Sequence, residues 1–335
     1  MGEKSHESYR AGRLRWNVPF LVVVETISPP LVNLRSGGRR DISPNGIGAR
    51  MDDSEARTVA VVTGGAGGMG LATAKLLGRE HHVVVADVRG DRLDAAVEEL
   101  AGAGVESDAV VCDVTDRAAV RALAAMAASR GTVVSVVHTA GLSPRMAPAE
   151  QILRVNALGT VLVDRAFEPY AGHGSCIVNV ASTAGHLPPL LPTPSRTYRL
   201  ALSDPDRFLD RMVARCALVP RRARAGTAYA LSKHFVIWWS RQLAGPLGAR
   251  GARILSVSPG SFDTEMGRLE ERSGAGELAA RSALGRFGRV EEIAEVLAFV
   301  ASEKPGYLTG TDVLVDGGAQ AVMTLRDTIE MARSA

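Results

Sequence analysis

Five glycines occur within the eight residues 63–70, and this segment constrains the fold more than any other. It lies between a short apolar run, 58–63, and a helical pattern, 71–79. Glycines let the chain turn tightly and let its backbone approach a pyrophosphate, and the start of the next helix offers unpaired N–H groups. A purely structural turn is the alternative, but a strand before the loop and a helix after it favour a dinucleotide site. The residues expected to contact the dinucleotide are Gly64, Gly68, Met69 and Gly70.

Short β-branched runs alternate with helical stretches from residue 58 onward. The strand-like runs are 58–63, 82–87, 109–112, 133–138, 176–181, 253–257 and 312–315, and helical stretches such as 71–79, 92–101 and 117–128 lie between them. Continuous Val and Ile runs suit strands that are buried on both faces of a parallel sheet. Alternation of strands and helices is typical of a doubly wound α/β sheet. We therefore predict a single α/β domain over residues 57–325.

The composition limits the possible partners and compartments. The hydrophobic share of 46% and the charged share of 22% are ordinary for a globular protein. A formal net charge of +3 is too small to favour nucleic acid or a membrane surface as a partner. The cysteines Cys112, Cys176 and Cys216 form no disulfide or metal-binding pattern, and no apolar run reaches the roughly 18 residues of a spanning helix. We expect a cytoplasmic protein that acts on a small molecule and has no metal site.

Residues 1–56 differ in character from the rest of the chain. They combine Gly, Pro and Arg with no sustained helical or strand period, which predicts a disordered extension. Met51 opens an acidic stretch that leads directly into the first strand, so we also consider that translation starts there. A signal peptide is a weaker interpretation, because the apolar segment 18–24 is short and contains Pro19. Residues 326–335 are expected to form a C-terminal tail.

Acidic residues end the second and third strand-like runs. Asp87 lies about twenty residues after the glycines, where an acid can accept hydrogen bonds from the ribose hydroxyls and would repel a 2′-phosphate. This favours NAD over NADP, although Arg89 offers a partner for such a phosphate. Asp113 and Val114 are expected near the adenine. A solvated acid at Asp87 and a helix cap at Asp113 are the alternatives.

A second group of residues suggests proton chemistry. Tyr229 and Lys233 are four residues apart, so on a helix both side chains share one face. A nearby ammonium lowers a tyrosine pKa from its usual value near 10. Ser182 follows the fifth run, at the sheet edge where ligands bind, and its hydroxyl can hold a substrate oxygen. Asn156 lies in a helical stretch, where asparagine is unfavourable, and a satisfied buried amide is the alternative.

Together these motifs resemble the short-chain dehydrogenase/reductase family over about residues 57–320. Thr63, Gly64, Gly68 and Gly70 match its T-G-x-x-x-G-x-G pattern, and Asn156, Ser182, Tyr229 and Lys233 match its catalytic tetrad. His138 and Thr139 stand where the family has two asparagines, which puts their sheet-stabilising role in doubt, whereas Ala140 and Gly141 are retained. Pro259, Gly260 and Thr264 match the family's segment that meets the nicotinamide. The Asp316-Gly317-Gly318 triplet matches its late strand-end signature.

The resemblance implies a Rossmann-type fold and a hydride transfer between nicotinamide and a carbonyl or secondary alcohol. Tyr229 would be the acid/base, Ser182 would hold the reacting oxygen, and Lys233 would lower the tyrosine pKa and bind the ribose. Asn156 would hold a water that links Lys233 to solvent. The family usually forms homodimers or homotetramers.

The spacing of Ser182 and Tyr229, 47 residues, departs from the dozen or so that are usual in the family, which indicates an insertion over about 186–226. Prolines early in it exclude regular structure there, whereas Ser203, Asp204 and Pro205 predict the start of a helix. The apolar face of that helix would be Phe208, Leu209, Met212, Val213 and Cys216. We interpret the insertion as a lid or wall over an apolar substrate, with an oligomer contact or a structural element as alternatives.

The long gap and the chain ending resemble bacterial 3α-hydroxysteroid dehydrogenase/carbonyl reductases, which implies a hydroxysteroid or another bulky hydrophobic substrate. A broad-specificity carbonyl reductase and a non-catalytic dinucleotide sensor are the alternative functions. A nucleotide-sugar epimerase or dehydratase shares the Tyr–Lys pair, but its glycine spacing is different.

Overall fold

A seven-stranded parallel sheet forms the centre of the computed structural model, which describes residues 57–186, 193–271 and 275–324. The strands are β1 (Thr58–Thr63), β2 (His82–Asp87), β3 (Ser107–Val111), β4 (Thr132–His138), β5 (Cys176–Val180), β6 (Arg253–Pro259) and β7 (Asp312–Val315). Their order in the sheet is β3-β2-β1-β4-β5-β6-β7. The predicted doubly wound Rossmann-type fold is confirmed.

The strand order changes direction between β1 and β4, where a parallel sheet leaves a ligand crevice beyond the carboxyl ends of its strands. The end of β1, Thr63, pairs with His138 of β4 on one side and with Ala86 of β2 on the other. This register brings the glycine loop, Asp87 and the residues after His138 to the same edge of the sheet.

Helices cover both faces of the sheet. They are α1 (Gly68–Leu77), α2 (Gly90–Gly102), α3 (Arg117–Arg130), α4 (Ala149–Leu153), α5 (Thr160–Phe167), α6 (Ser195–Leu200), α7 (Pro205–Cys216), α8 (Arg224–Gly248), α9 (Glu265–Glu270), α10 (Ala275–Arg281), α11 (Val290–Ala301) and α12 (Ala319–Val322). A π-helical turn, Arg154–Gly159, joins α4 to α5. Apolar residues of α1, α2 and α11 pack on one face, and those of α3, α5 and α8 pack on the other.

The edge strands differ from the pattern expected for strands that are buried on both faces. β1 and β2 are almost wholly buried, as predicted, and their bounds agree with the predicted runs. β3 starts two residues earlier than the predicted run 109–112 and ends one residue earlier, at Val111. The Val111 side chain is 65% exposed. Among the strands that the structure describes, β3 pairs with β2 alone and so forms an edge of the sheet.

The helical part of the insertion forms as predicted. Asp204 caps α7 by accepting a hydrogen bond from the backbone N of Arg207, and Pro205 occupies the first turn. The predicted apolar face of α7 is buried except for Val213, which is partly buried.

The helices α6 and α7 form an additional core layer against α4, the π-helical turn and α8. The ring centroids of Phe208 and Phe235 are 4.4 Å apart, and those of Tyr198 and Phe235 are 5.1 Å apart. Tyr198 also donates a hydrogen bond to the Leu231 carbonyl at 3.1 Å. This packing is what the structural alternative predicts for the described part of the insertion. The proline-rich segment 187–192 lies outside the described residues.

Other predictions also fall outside the described part of the chain, namely the N-terminal extension 1–56, with its possible start at Met51, and the tail 326–335. Within the described ranges, none of the helices combines the length and the apolar character that crossing a membrane requires.

Candidate active site

Ser182 and Tyr229 meet at the carboxyl edge of the sheet. Ser182 lies two residues beyond β5, and Tyr229 is the sixth residue of α8. The Ser182 hydroxyl lies close enough to Tyr229 to oppose the rise in the tyrosine pKa that burial causes. Ser182 Oγ accepts a hydrogen bond from the Ala184 backbone N at 3.2 Å, which holds the oxygen at the start of this turn.

The turn that carries Ser182 packs directly on the helix that carries Tyr229. A side chain on Gly185 would begin 2.8 Å from the Lys233 carbonyl carbon and 2.9 Å from the His234 backbone N. Only glycine permits this approach without displacing backbone atoms. The distance between Ser182 and α8 therefore depends on Gly185.

Lys233 lies one helical turn after Tyr229, and its ammonium is 5.8 Å from the centre of the Tyr229 ring. Lys233 Nζ donates a hydrogen bond to the Val180 carbonyl at 2.9 Å. Burial lowers the pKa of Lys233 to about 8. The lysine is thus buried at the end of β5, beside both Ser182 and Tyr229.

The expectation that Lys233 lowers the pKa of Tyr229 is not met in the protein alone. Burial raises the Tyr229 pKa, the nearby Ser182 hydroxyl opposes this rise, and the Glu270 carboxylate adds to it. Desolvation destabilises both the phenolate and the ammonium, so burial favours the neutral forms of Tyr229 and Lys233.

Asn156 holds the loop that follows β4. Its Oδ1 accepts a hydrogen bond from the Leu142 backbone N at 2.8 Å, and its Nδ2 donates to the Leu142 carbonyl at 2.9 Å and to Ser232 Oγ at 3.3 Å. A side chain on Gly141 would begin 3.4 Å from Asn156 Oδ1 and 3.5 Å from Lys233 Nζ. Asn156 and Lys233 therefore border the same space, and the predicted water between them remains a prediction.

His138 and Thr139 connect the strands although the family's two asparagines are missing. His138 is hydrogen-bonded through Nδ1 to Thr63 Oγ1 at 2.7 Å and through Nε2 to Thr160 Oγ1 at 3.1 Å. Thr139 Oγ1 donates to the Thr63 carbonyl at 2.7 Å. Burial lowers the pKa of His138 to about 3, so the ring is neutral at ordinary pH. Different side chains thus link β1, β4 and α5 here.

The glycine loop leaves room for the backbone approach that a dinucleotide requires. A side chain on Gly67 would meet no atom within 4 Å, and one on Gly68 would meet only the Thr264 side chain, at 3.8 Å or more. The N-terminus of α1 receives no side-chain cap from Gly67. Its backbone N–H groups therefore suit a phosphate, and the residues present fit a dinucleotide.

The acids at the β2 and β3 ends lie beside this loop. Asp87 Oδ2 is 3.4 Å from the Ala66 backbone N, and Asp87 Oδ1 accepts a hydrogen bond from the Arg89 backbone N at 3.1 Å. The Arg89 guanidinium is bound to Asp91 by two hydrogen bonds of 3.0 and 2.7 Å. A carboxylate therefore faces the loop at the position expected to meet the ribose, and the nearby arginine is engaged elsewhere.

Asp113 and Val114 are placed differently from one another. Asp113 Oδ1 accepts a hydrogen bond from the Thr115 backbone N at 2.8 Å, whereas the cap of α3 is Asp116. The helix-cap alternative for Asp113 is therefore wrong. Val114 is buried, and its side chain packs tightly against Gly159 of the π-helical turn. Of these two residues, only Asp113 presents an exposed side chain to a ligand.

The segment after β6 closes over the glycine loop. Pro259 ends β6, and the Gly260 backbone N donates to the Val315 carbonyl at 2.8 Å. Thr264 caps α9 by accepting from the Gly267 backbone N at 2.9 Å. Ala140 lies against Gly64 on the other side of the crevice, with its backbone N 2.7 Å from where a side chain on Gly64 would begin. Ala140 and Thr264, which follow β4 and β6, thus lie against the glycine loop.

Asp164 is a buried acid that sequence reasoning missed. It lies between α5, β5 and α8, where its Oδ2 accepts hydrogen bonds from Asn179 Nδ2 at 2.8 Å and from Trp239 Nε1 at 2.9 Å. Burial raises its pKa to about 7. The available signal was a charged residue directly after the apolar run 161–163 of α5, but its partners lie far away in sequence.

Comparisons with known proteins agree with this geometry. The family model described as short chain dehydrogenase matches residues 58–192, and the model described as Enoyl-(Acyl carrier protein) reductase matches residues 216–320. A short-chain dehydrogenase/reductase of Alternaria brassicicola is 32% identical over 79% of this chain and 96% of its own length. The cis-4-hydroxycyclohexanecarboxylate dehydrogenase of Sinomonas cyclohexanicum is 31% identical over 81% of this chain and its whole length. The crystal structure of a short chain dehydrogenase from Burkholderia cenocepacia J2315 in complex with NADP superposes with a TM-score of 0.62, at 26% identity over 78% of this chain and 97% of that one.

Proposed function

Because this chain belongs to the short-chain dehydrogenase/reductase family and is an NAD(P)-dependent oxidoreductase of CH–OH groups, we propose that it uses NAD(H) to interconvert a bulky hydrophobic secondary alcohol, such as a hydroxysteroid, and its ketone. The observation that carries this proposal is the placement of Tyr229 beside the buried Lys233, whose ammonium binds the Val180 carbonyl two residues before Ser182. Tyr229, Lys233 and Ser182 all lie at the sheet edge where the cofactor crevice ends.

The proposed mechanism assigns the proton to Tyr229. A nicotinamide bound in the crevice supplies the hydride acceptor for oxidation and the hydride donor for reduction. In oxidation Tyr229 takes the proton of the substrate hydroxyl, and in reduction it returns a proton to the carbonyl oxygen. Ser182 donates a hydrogen bond to that oxygen in both directions. Because burial raises the Tyr229 pKa, we expect oxidation to become faster as the pH rises.

The preference for NAD rests on the surroundings of Asp87. Its carboxylate faces the glycine loop, so a 2′-phosphate there would meet a like charge. The Arg89 guanidinium, which could neutralise that phosphate, is bound to Asp91. The Burkholderia protein was crystallised in complex with NADP, and we propose that this chain instead prefers NAD.

Turnover measurements test the proposal. The full chain is assayed at alkaline pH with NAD⁺ or NADP⁺ against hydroxysteroids and simple secondary alcohols, with Tyr229→Phe alongside. NAD-linked steroid oxidation that is lost in the variant would support the proposal, since acid/base groups of this kind contribute roughly 10²–10⁴ in rate. Turnover of small alcohols and diverse carbonyls alone would favour the broad-specificity carbonyl reductase. Light scattering of the same sample tests our further proposal of a homodimer or homotetramer.

A further inference from the structure

Helix α9 connects the glycine-loop side of the sheet edge to the loop that follows β4, and an ion pair holds its N-terminal end. Its first residue, Glu265, accepts hydrogen bonds of 2.7 and 3.0 Å from the Arg92 guanidinium of α2. Thr264, which caps the helix, lies beside Gly68 of the glycine loop. Because α9 follows β6, it starts at the carboxyl edge of the sheet, beside the glycine loop.

The C-terminal end of α9 is fixed to the other wall of the site. Glu270 Oε1 accepts a hydrogen bond from the Arg145 backbone N at 2.9 Å. Arg145 belongs to the loop that begins with Gly141 and Leu142, which Asn156 holds beside Lys233. Glu270 therefore bridges α9 and the loop bordering the catalytic lysine, and its carboxylate lies close enough to Tyr229 to raise the pKa of that hydroxyl, in addition to the larger effect of burial.

Exposed apolar residues stand next in sequence to both residues of this bridge. Met146 follows Arg145 and is 45% exposed, and Leu269 precedes Glu270 and is 52% exposed. The arginines on α2 and α9 are paired with other acids: Arg92 with Glu265, and Arg268 with Asp263 at 3.0 Å. Exposed apolar residues and the Glu270 carboxylate thus occur together on α9 and on the loop that α9 contacts.

We propose that Glu270 is a specificity-determining residue whose carboxylate selects uncharged apolar alcohols and ketones and discriminates against substrates that carry a carboxylate or phosphate. The reason is that two like charges repel strongly in a partly desolvated site. The inference rests on the proposed alcohol–ketone function and narrows its substrate class. It also sets this chain apart from its relative named for cis-4-hydroxycyclohexanecarboxylate, an anion.

A matched pair of compounds tests the role of Glu270. The probes are cis-4-hydroxycyclohexanecarboxylate and its carboxamide, which has nearly the same shape and no charge. They are assayed with the wild type, with Glu270→Gln, whose amide oxygen can still accept from the Arg145 backbone N, and with Glu295→Gln on α11 as a control that makes the same change of charge at an exposed site. We expect kcat/KM of the wild type to favour the carboxamide by about tenfold or more, the equivalent of one pKa unit of electrostatic discrimination.

In Glu270→Gln the preference for the carboxamide should fall by at least about fivefold, because kcat/KM for the acid increases. Glu295→Gln should retain the preference of the wild type. Added salt should also reduce the preference of the wild type, because it screens charges at an open mouth. An equal preference in Glu270→Gln and the wild type, or a wild type that favours the acid, would overturn the inference. Calorimetry measures the affinities of both probes for the enzyme–NADH complex. It distinguishes a failure of the proposed alcohol–ketone function from a failure of the role given to Glu270. Binding that follows the expected order without turnover of any alcohol contradicts the proposed function alone, whereas binding that is indifferent to Glu270 contradicts its role in selectivity.

Discussion

His186 Nε2 lies 2.8 Å from Asp312 Oδ2, and this pair ties the chain just after the Ser182 turn to the edge strand β7. The Asp312 side chain is only 2% exposed, whereas that of His186 is 26% exposed. Asp312 Oδ1 accepts further hydrogen bonds from Ser256 and Ser258 on β6. Ser258 directly precedes Pro259 of the proposed nicotinamide segment, so one buried carboxylate connects both sides of the site.

Removal of the imidazole should destabilise the protein. In His186→Ala, Asp312 keeps the two serine donors but loses a third, and leaving a buried carboxylate partly unpaired costs about 1–3 kcal/mol. We expect urea denaturation to show a loss of that size, with His186→Gln recovering part of it because the amide can donate to Asp312. Equal stability of His186→Ala and the wild type would mean that the pair contributes nothing.

Replacement of Gly185 by alanine should separate Ser182 from Tyr229. The added carbon would begin 2.8 Å from the Lys233 carbonyl carbon, so the turn or α8 must move, at a cost of about 1–3 kcal/mol. We expect a large fall in kcat with little change in the dissociation constant of NADH, which steady-state kinetics and fluorescence titration measure. Gly226→Ala is the matched control, since a side chain there meets no atom within 4 Å and alanine favours the helix. Unchanged kcat in Gly185→Ala would show that the spacing is adjustable.

The buried acid Asp164 should make stability depend on pH. Its folded pKa of about 7 exceeds the unfolded value near 3.9, so between these values the folded protein binds a proton that the unfolded chain has released. The contribution of this group to the free energy of unfolding is therefore fully present at low pH and declines as the pH rises from about 4 to 7.

Asp164→Asn removes this titration and retains an oxygen that can accept from Asn179 and Trp239. The stability of the variant relative to the wild type, measured by urea denaturation, should rise between about pH 4 and 7 and level off at higher pH. Comparing the two proteins at each pH cancels the contributions of other groups, such as His138. A difference that stays constant with pH would contradict a raised pKa for Asp164.

Neutralisation of Asp87 should relax the cofactor preference. In Asp87→Asn the like-charge repulsion with a 2′-phosphate disappears, so we expect the NAD⁺ to NADP⁺ ratio of kcat/KM to fall by about tenfold, or 1.4 kcal/mol. Asp94→Asn on the exposed side of α2 makes the same change of charge away from the loop and should leave the ratio unaltered. A wild type that already prefers NADP⁺ would refute the assignment of Asp87.

Local patterns were sufficient for the framework of the fold. β1, β2 and β7 have the predicted bounds because continuous apolar runs between turn residues have few alternatives in a buried sheet. The Tyr229–Lys233 spacing and the cap of α7 at Asp204 are likewise properties of a few neighbouring residues, so they could be predicted without knowledge of the remaining chain.

Contacts between residues that are far apart in sequence set the pKa values and the hydrogen-bond partners of the site residues. The sequence pairs Lys233 with Tyr229 and predicts a lowered tyrosine pKa, but burial reverses the sign. The partners of His138, Asp164 and Glu270 lie 15 to 125 positions away in sequence, and Thr63, Trp239 and the Arg145 backbone are among them. The insertion could not be placed from its helix pattern, because that pattern defines an apolar face without naming the surface that buries it. Local sequence was enough to predict which elements form and which chemical groups reach the sheet edge. Their charge states and partners depend on burial and long-range hydrogen bonding, which exist only after the chain has packed.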